Sequence, residues 1–348
     1  MSIIVDIKKQ LGSFSLRVCF EADDCILALL GASGCGKSLT LQCIAGIITP
    51  DEGCIIVNDV TLFDSVKRIN LPPQKRQVGL LFQNYALFPN MTVAQNIAAG
   101  LYRRKEGQRE QVQALIESFQ LNGLESRYPA QLSGGQQQRT ALARMLAAEP
   151  KLIMLDEPFS AMDEYLRWQL EQELVSTLER FGGTAIYVSH NRDEVHRICD
   201  RVCVLHEGTS EPVVSVAQLF ETPQTLSAAL LAGCKNYSRI APSCGQQRTL
   251  ALDWGCELDF APPPGVSHIG AHSHRLVLEA RAPMMHGQIL RMSQSVFSVS
   301  VVLQLVHGDK PTAPSILHME LPLEQAASLT VGAVVGISVA SDQLLLLR

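Results

Sequence analysis

The 348-residue chain has no basic tail and no long run of one charge: 29 Lys+Arg against 34 Asp+Glu leave a net −5. Sequence-independent binding to nucleic acid rests on a basic stripe and is therefore not expected. No stretch approaches the ~18 to 20 uncharged apolar residues of a membrane span. The first ten residues carry Asp6, Lys8 and Lys9 and lack the apolar segment of a secretion signal, so the default expectation is a soluble, cytoplasmic chain. There are ten cysteines but no C-x-x-C pair, and Cys199 and Cys203, the closest two, are four apart in an apolar stretch. That spacing argues against a paired-cysteine metal or redox site and for small buried hydrophobes in a reducing compartment. His268, His272 and His274 would share one face of a presumed strand. No Cys or second His pair accompanies them, so they read as solvated edge histidines rather than as metal ligands.

What the chain does have is apolar material for two domains: 47% hydrophobic residues over a length too great for one ordinary core. Residues 1 to about 232 alternate short apolar runs with helical patterns, as an α/β domain does. Strands are expected at 3–5, 25–30, 53–57, 78–82, 151–155, 184–188 and 201–205. Helices are expected at 37–46, 93–101, 109–120, 134–148, 164–180 and 191–198. After Ala232 the texture changes: Pro242, Pro262, Pro263, Pro264 and Gly265 punctuate a connection, and β-like runs follow at 275–280, 297–306 and 334–339. Residues 233–348 are expected to form a separate, mostly β domain.

The run Gly31-Ala32-Ser33-Gly34-Cys35-Gly36-Lys37-Ser38 lies between an apolar strand and the helical stretch that begins Leu39-Thr40-Leu41. That is the setting a phosphate-binding loop requires. Glycines at 31, 34 and 36 let successive N–H groups turn inward around phosphate oxygens, and the helix adds its positive end. Lys37 is placed for the β- and γ-phosphates and the Ser38 hydroxyl for Mg²⁺. Downstream, the nearly all-apolar run Lys151 to Leu155 ends in Asp156 and Glu157. Ligands bind at the C-terminal edge of parallel strands, where these acids would sit. Asp156 could hold Mg²⁺ through its water shell, and Glu157 could polarise the water that attacks the γ-phosphate. Another strand ends in Ser189-His190, where a neutral imidazole could donate to the γ-phosphate. A second glycine-rich helix start, Leu132-Ser133-Gly134-Gly135-Gln136, has Ser133 as its natural N-cap and could admit a phosphate to bare N–H groups.

In this order the motifs resemble the ATP-binding cassette family over residues 1 to about 232. The resemblance equates Gly31 to Ser38 with the Walker A motif, Leu132 to Gln136 with the signature and Leu152 to Glu157 with Walker B. Ser160 to Asp163 corresponds to the D-loop, His190 to the switch histidine and Gln83 to the Q-loop glutamine. It implies a P-loop NTPase cassette, a mixed sheet with a helical subdomain at about 85–150, that binds ATP and Mg²⁺. Gly31, Ala32, Ser33, Gly34, Cys35, Gly36, Lys37, Ser38 and Leu39 would cradle the nucleotide, with Ser38, Gln83 and Asp156 on the metal. Phe14 would stack on adenine, with Phe20 as the nearby alternative. Lys37, Gln83, Glu157 and His190 would carry the chemistry. The resemblance also implies a head-to-tail homodimer in which Ser133, Gly134, Gly135, Gln136 and Asp163 close over ATP held by the partner.

The stretch Phe82 to Thr92 is similar to the groove of importer cassettes that receives a coupling helix from a membrane permease. Tyr85, Leu87 and Phe88 would supply its apolar contact. Gly233 to Ile240 and the β-like tail resemble the oligonucleotide-binding-like barrel of molybdate-importer ATPases. Ser293, Ser295 and Ser298 could then bind an oxyanion. The expected whole is a peripheral ATPase on the cytoplasmic face of the inner membrane that energises uptake of an oxyanion, molybdate or tungstate, through a separate permease, served indirectly by a periplasmic or extracellular binding protein. Sulfate/thiosulfate importers are the alternative within the class. A soluble non-transport cassette is the alternative outside it, although the zinc or coiled-coil insertions usual there are absent.

Overall fold

A computed structural model describes residues 1–101, 106–159, 164–242, 248–307 and 310–348. The chain divides into two compact units, Met1–Val216 and Ala217–Arg348.

In the first unit the strands are β1 (Ser2–Leu11), β2 (Phe14–Asp23), β3 (Ile26–Leu30), β4 (Glu52–Val57), β5 (Val60–Asp64), β6 (Ile69–Asn70), β7 (Val78–Leu81), β8 (Leu152–Asp156), β9 (Ala185–Val188), β10 (Arg201–His206), β11 (Thr209–Ser210) and β12 (Val214–Ser215). Its helices are α1 (Lys37–Ala45), α2 (Pro73–Arg76), α3 (Val93–Gly100), α4 (Gln108–Ser118), α5 (Gly134–Ala147), α6 (Glu164–Phe181) and α7 (Arg192–Ile198). The sheet order is β6-β5-β4-β1-β2-β11-β10-β3-β9-β8-β7, with β12 beside β10. One half, β6 to β2, is antiparallel. The other half, β10-β3-β9-β8-β7, is parallel.

The two halves follow from two residue patterns. β2 alternates buried and exposed positions along FSLRVCFEAD, as a strand covered on one face does. β8 is apolar up to Asp156 and β9 (AIYV) has no charged residue, with every residue but Asp156 buried, as strands covered on both faces must be. The strand at 14–23 is not among those expected from the apolar runs; its period-two alternation is the signal that marks it. Leu27, Leu29, Leu41, Ile44, Met154, Ile186 and Val188 form the apolar core beneath the parallel edge.

The second unit holds two five-stranded antiparallel sheets among the described residues. One contains β13 (Asn236–Pro242), β14 (Thr249–Ala251), β15 (Cys256–Leu258), β16 (His268–Ala271) and β22 (Leu345–Leu347). The other contains β17 (Val277–Leu278), β18 (Met285–Gln294), β19 (Ser298–His307), β20 (Lys310–Pro322) and β21 (Val334–Ser338). Trp254, Ile269, Leu276, Ile289, Val301, Leu303, Met319 and Ile337 fill the space between strand faces.

Two expectations for this unit need correction. The β-like run 275–280 is a short 3-10 turn, Ser273–Arg275, followed by a strand of only two residues. Leu276 is buried while Val277 is 51% exposed, so the apolar run serves a bend at a sheet edge. The three histidines do not share a strand face: His268 is on β16, His272 caps the turn and His274 lies within it, with the rings of the last two stacked at 5.5 Å. His272 is buried, which holds its pKa below the ordinary value by desolvation, with Arg275 and His274 adding repulsion. Among the described residues no three His, Cys, Asp or Glu converge as a metal set.

Candidate functional site

The parallel topology brings the C-terminal ends of β3, β7, β8 and β9 to one edge. Each strand there delivers a residue singled out by sequence. β3 runs into Gly31 to Gly36 and then α1; β7 is followed by Gln83; β8 ends in Asp156 and leads to Glu157; β9 leads through Ser189 to His190.

The loop after β3 turns through Gly34 and Gly36 at φ +81° and +107°. Gly36 is the N-cap of α1 and gives that helix no side-chain cap. Lys37 is 7% exposed, and its ammonium is folded back over the loop, donating to the carbonyls of Gly31 at 2.7 Å and Ala32 at 2.9 Å. Cys35 is buried with its Sγ 3.8 Å from Lys37 Nζ, while Ala32, Ser33 and Gly34 are exposed at the tip. A buried ammonium ringed by carbonyls is a charge held ready for a stronger anionic partner. Leu39, half-buried on α1, packs against the core.

Ser38 Oγ donates to Asp156 Oδ1 at 3.2 Å, joining the loop to the end of β8 across 118 residues. Desolvation raises the Asp156 pKa, and the neighbouring Glu157 adds to the rise; the Ser38 bond and Lys37 oppose it. A carboxylate and a hydroxyl oxygen at this spacing, on a carboxylate whose charge is poorly compensated, form the hard-oxygen pair that Mg²⁺ prefers. Gln83 lies exposed in the loop at the same strand edge.

Glu157 takes φ +47° and its N–H donates to Val188 O at 3.0 Å, locking β8 to β9. Its Oε2 lies 3.3 Å from His190 Nδ1. The acid and the imidazole are therefore one pair, with His190 66% exposed and Glu157 23% exposed. Sequence placed both residues but did not reveal how the histidine is held. Ser189 Oγ donates to Glu194 Oε2 at 2.7 Å and Tyr187 Oη donates to the same oxygen at 3.0 Å. Asn191 N–H donates to Ser189 Oγ at 3.0 Å, and the Asn191 side chain caps α7. Arg167 on α6 faces the other Glu194 oxygen at 3.8 Å. A buried Glu five residues beyond Ser189 was the available signal, since such a carboxylate needs donors.

Phe14 opens β2 with its ring beside the glycine loop, 3.3 Å from where a Gly36 side chain would begin. Phe20 is buried in the core, 4% exposed, and offers no face to a base. On the other glycine-rich start, Ser133 Oγ accepts from Gln136 N–H at 3.3 Å and Gln136 Oε1 accepts from Ser133 N–H at 3.0 Å, a reciprocal capping box. Nothing lies within 4 Å of where a Gly134 side chain would begin, whereas Gly135 is buried. Ser160, Ala161, Met162 and Asp163 lie outside the described residues. Around the loop after β7, Tyr85 is buried with its hydroxyl donating to Pro158 O at 3.4 Å, so it is a core contact and not part of an open groove. Leu87 is half-buried, and Phe88 is 46% exposed.

In the second unit the hydroxyls of Ser295 and Ser298 bond each other at 3.1 Å, and Ser298 donates to Glu320 at 2.8 Å. A carboxylate neighbour disfavours the oxyanion expected there.

Residues 17–160 match the family model described as ABC transporter. A sulfate/thiosulfate import ATP-binding protein of Chromobacterium violaceum is 41% identical over 239 residues, 68% of this chain and 62% of that protein. An Fe(3+) ions import ATP-binding protein of Haemophilus influenzae is 44% identical over 211 residues, 60% of each. A spermidine/putrescine import ATP-binding protein of Bacillus cereus is 41% identical over 214 residues, 60% of this chain and 63% of that protein. The chain thus spans less than two thirds of the length of each of these curated relatives. The dimeric structure of the ATP-binding cassette MJ0796 in a post-hydrolysis state with ADP and Pi is 26% identical, with a TM-score of 0.53. That similarity covers 62% of this chain and 99% of the other. The first unit accordingly has the architecture of a P-loop ATP-binding cassette, built on a mixed sheet.

Proposed function

We propose that this chain is the ATP-hydrolysing subunit of a membrane importer, working as a homodimer with separate permease chains. The observation that carries the reading is the joining of Ser38 to Asp156 and of Glu157 to His190 at one edge of parallel strands. In this reading residues 1–232 bind nucleotide and residues 233–348 are an accessory domain of the oligonucleotide-binding-like, molybdate-binding type.

Lys37 exchanges its loop carbonyls for β- and γ-phosphate oxygens, and the uncapped start of α1 faces the same anion. Ser38, Asp156 and Gln83 would hold Mg²⁺, which neutralises developing phosphate charge when bound. Glu157 accepts the proton of the attacking water, and His190, 3.3 Å from that carboxylate, donates toward the γ-phosphate. Ser133, Gly134, Gly135 and Gln136 of a second copy close the site from the other side, and Phe14 stacks on the base. Phe88 and Leu87 meet the permease, which puts the chain on the cytoplasmic face of the inner membrane. No helix among the described residues is long and apolar enough to cross one.

The solute belongs to the oxyanions. Molybdate is favoured by the resemblance of residues 233–348 to molybdate-importer tails, and a periplasmic or extracellular binding protein would deliver it. A second reading, sulfate/thiosulfate, is favoured by the 41% identical relative. Mg²⁺-dependent phosphate release by the purified chain tests the enzyme, and its absence with the permease present would overturn it. Growth and uptake of molybdate against sulfate in a deletion strain decide the solute. Stimulation by DNA or ribosomes instead of by permease would replace transport with a soluble, non-transport role.

A further inference from the structure

The turn that follows Gln83 is held by two helices at once. Tyr85 and Ala86 take φ +59° and +43°, conformations that residues with side chains rarely adopt. Their two carbonyls accept from one guanidinium, Arg144 Nη2 to Tyr85 O at 2.9 Å and Nη1 to Ala86 O at 2.8 Å. The same group lies over the Phe88 ring, 5.1 Å from its centroid. The far end of the segment is held by Asn96, which is fully buried. Its Oδ1 accepts from Phe88 N–H at 2.9 Å, and its Nδ2 donates to Phe88 O at 3.2 Å and Met91 O at 3.0 Å.

Arg144 and Asn96 stand on different helices, α5 and α3, which are pressed together. A side chain at Gly100 of α3 would begin 2.2 Å from the carbonyl of Arg144. Arg144 lies 11 residues (144 − 133) beyond Ser133 on the same helix, about 16 Å along its axis. Every hydrogen-bond partner described for Arg144 is neutral: two carbonyls and Asn96 Oδ1 at 3.5 Å. Burial lowers its pKa, so the position opposes the charge that occupies it. A Met or Leu would fill the space without that opposition, so stability alone does not account for an arginine here.

We propose that Arg144 is a positioning residue that fixes the Tyr85-Ala86 turn to the signature helix, so that Gln83 and Ser133 shift as one body when Phe88 is displaced. This rests on the reading of Gln83 and Ser133 as ATP-contacting residues. Arg144 itself need touch no nucleotide.

The test uses the full chain and four variants: Arg144→Met, Arg144→Lys, Ala86→Gly and the double variant R144M/A86G. Arg144→Met should keep or raise the thermal midpoint yet lower kcat about tenfold with KM for ATP within about twofold. Arg144→Lys keeps the charge but not the planar fork and should fall between. Glycine tolerates φ +43° without a clamp, so A86G should restore kcat of the Met variant about threefold or more, a coupling that independent sites would not show. Hydrogen exchange of amides 84–88 should quicken in Arg144→Met while those of α1 do not change. Wild-type kcat in Arg144→Met, no rescue by A86G, or exchange quickened equally throughout α3 and α5 would each overturn the proposal. If the wild-type chain hydrolyses no ATP, the enzyme reading fails, and the exchange measurement still decides the clamp.

Discussion

The two glycine-rich helix starts look alike in sequence and are built differently. At α1 the N-cap is Gly36, with φ +107° and no side-chain cap, and the nearby charge is a buried Lys37 held by loop carbonyls. At α5 the N-cap is Ser133, whose hydroxyl and backbone are paired with Gln136, and the adjacent Gly134 faces open space. The first is a cradle with its cation already inside and its helix end uncapped. The second is a self-satisfied helix end that has to exchange its own capping bonds for a ligand's. In the proposed reading the difference decides which one initiates binding: a free-standing chain would hold phosphate at α1, and α5 would contribute once an anion is presented to it.

The strongest way to break this division of labour is to remove the proposed base. Glu157→Gln should lower kcat by about a hundredfold or more while ATP still binds, and the dimer should accumulate in size-exclusion chromatography with ATP. A variant that hydrolyses at the wild-type rate would end the assignment. Next comes Ser133→Asp, which remains a good N-cap but sets a negative charge where a phosphate should arrive. The thermal midpoint should hold and kcat should fall about tenfold or more, whereas Ser133→Ala should also cost about 1 kcal/mol of stability. Equal activity of the Asp variant and wild type would mean α5 never meets the nucleotide.

Smaller effects sharpen the same contrast. Gly36→Ala forces a side chain into φ +107° and to within 2.4 Å of Leu16 Cδ1, so it should lower the thermal midpoint by several degrees. Gly134→Ala meets nothing within 4 Å and should leave the midpoint unchanged or slightly raised, as differential scanning calorimetry would read. The smallest effect concerns Asp156, whose folded pKa is raised by desolvation above the ordinary 3.8. A carboxylate with a raised folded pKa costs stability above that pKa, and the cost disappears as pH falls to 3.8 and below. Asp156→Asn should therefore raise the midpoint at pH 7 without Mg²⁺, and the gain should shrink on acidification. A lower midpoint at pH 7 would show that the Ser38 bond outweighs the desolvation.

Local pattern made much of this legible. The apolar run before Gly31 and the helical spacing after Lys37 correspond to β3 and α1, and the all-apolar run before Asp156 to β8. Those elements are set by burial on both faces and by glycine backbone freedom, which neighbouring residues encode. The run 275–280 misled because apolar residues at a bend and in a strand have the same composition; only sheet pairing separates them. Sequence alone places Tyr85 in a groove, because it cannot tell that the hydroxyl reaches Pro158.

By itself the sequence determined the two glycine-rich helix starts, the acid pair and the histidine, and the change of texture after Ala232, since each is a matter of residue type at short spacing. Only the tertiary structure decided what those groups touch: Asp156 with Ser38 across 118 residues, Glu157 with His190, and Arg144 with carbonyls 58 and 59 residues away. Hydrogen bonds and desolvation act over a few ångströms, and it is the parallel strand order and the packing of α3 on α5 that bring such distant groups together.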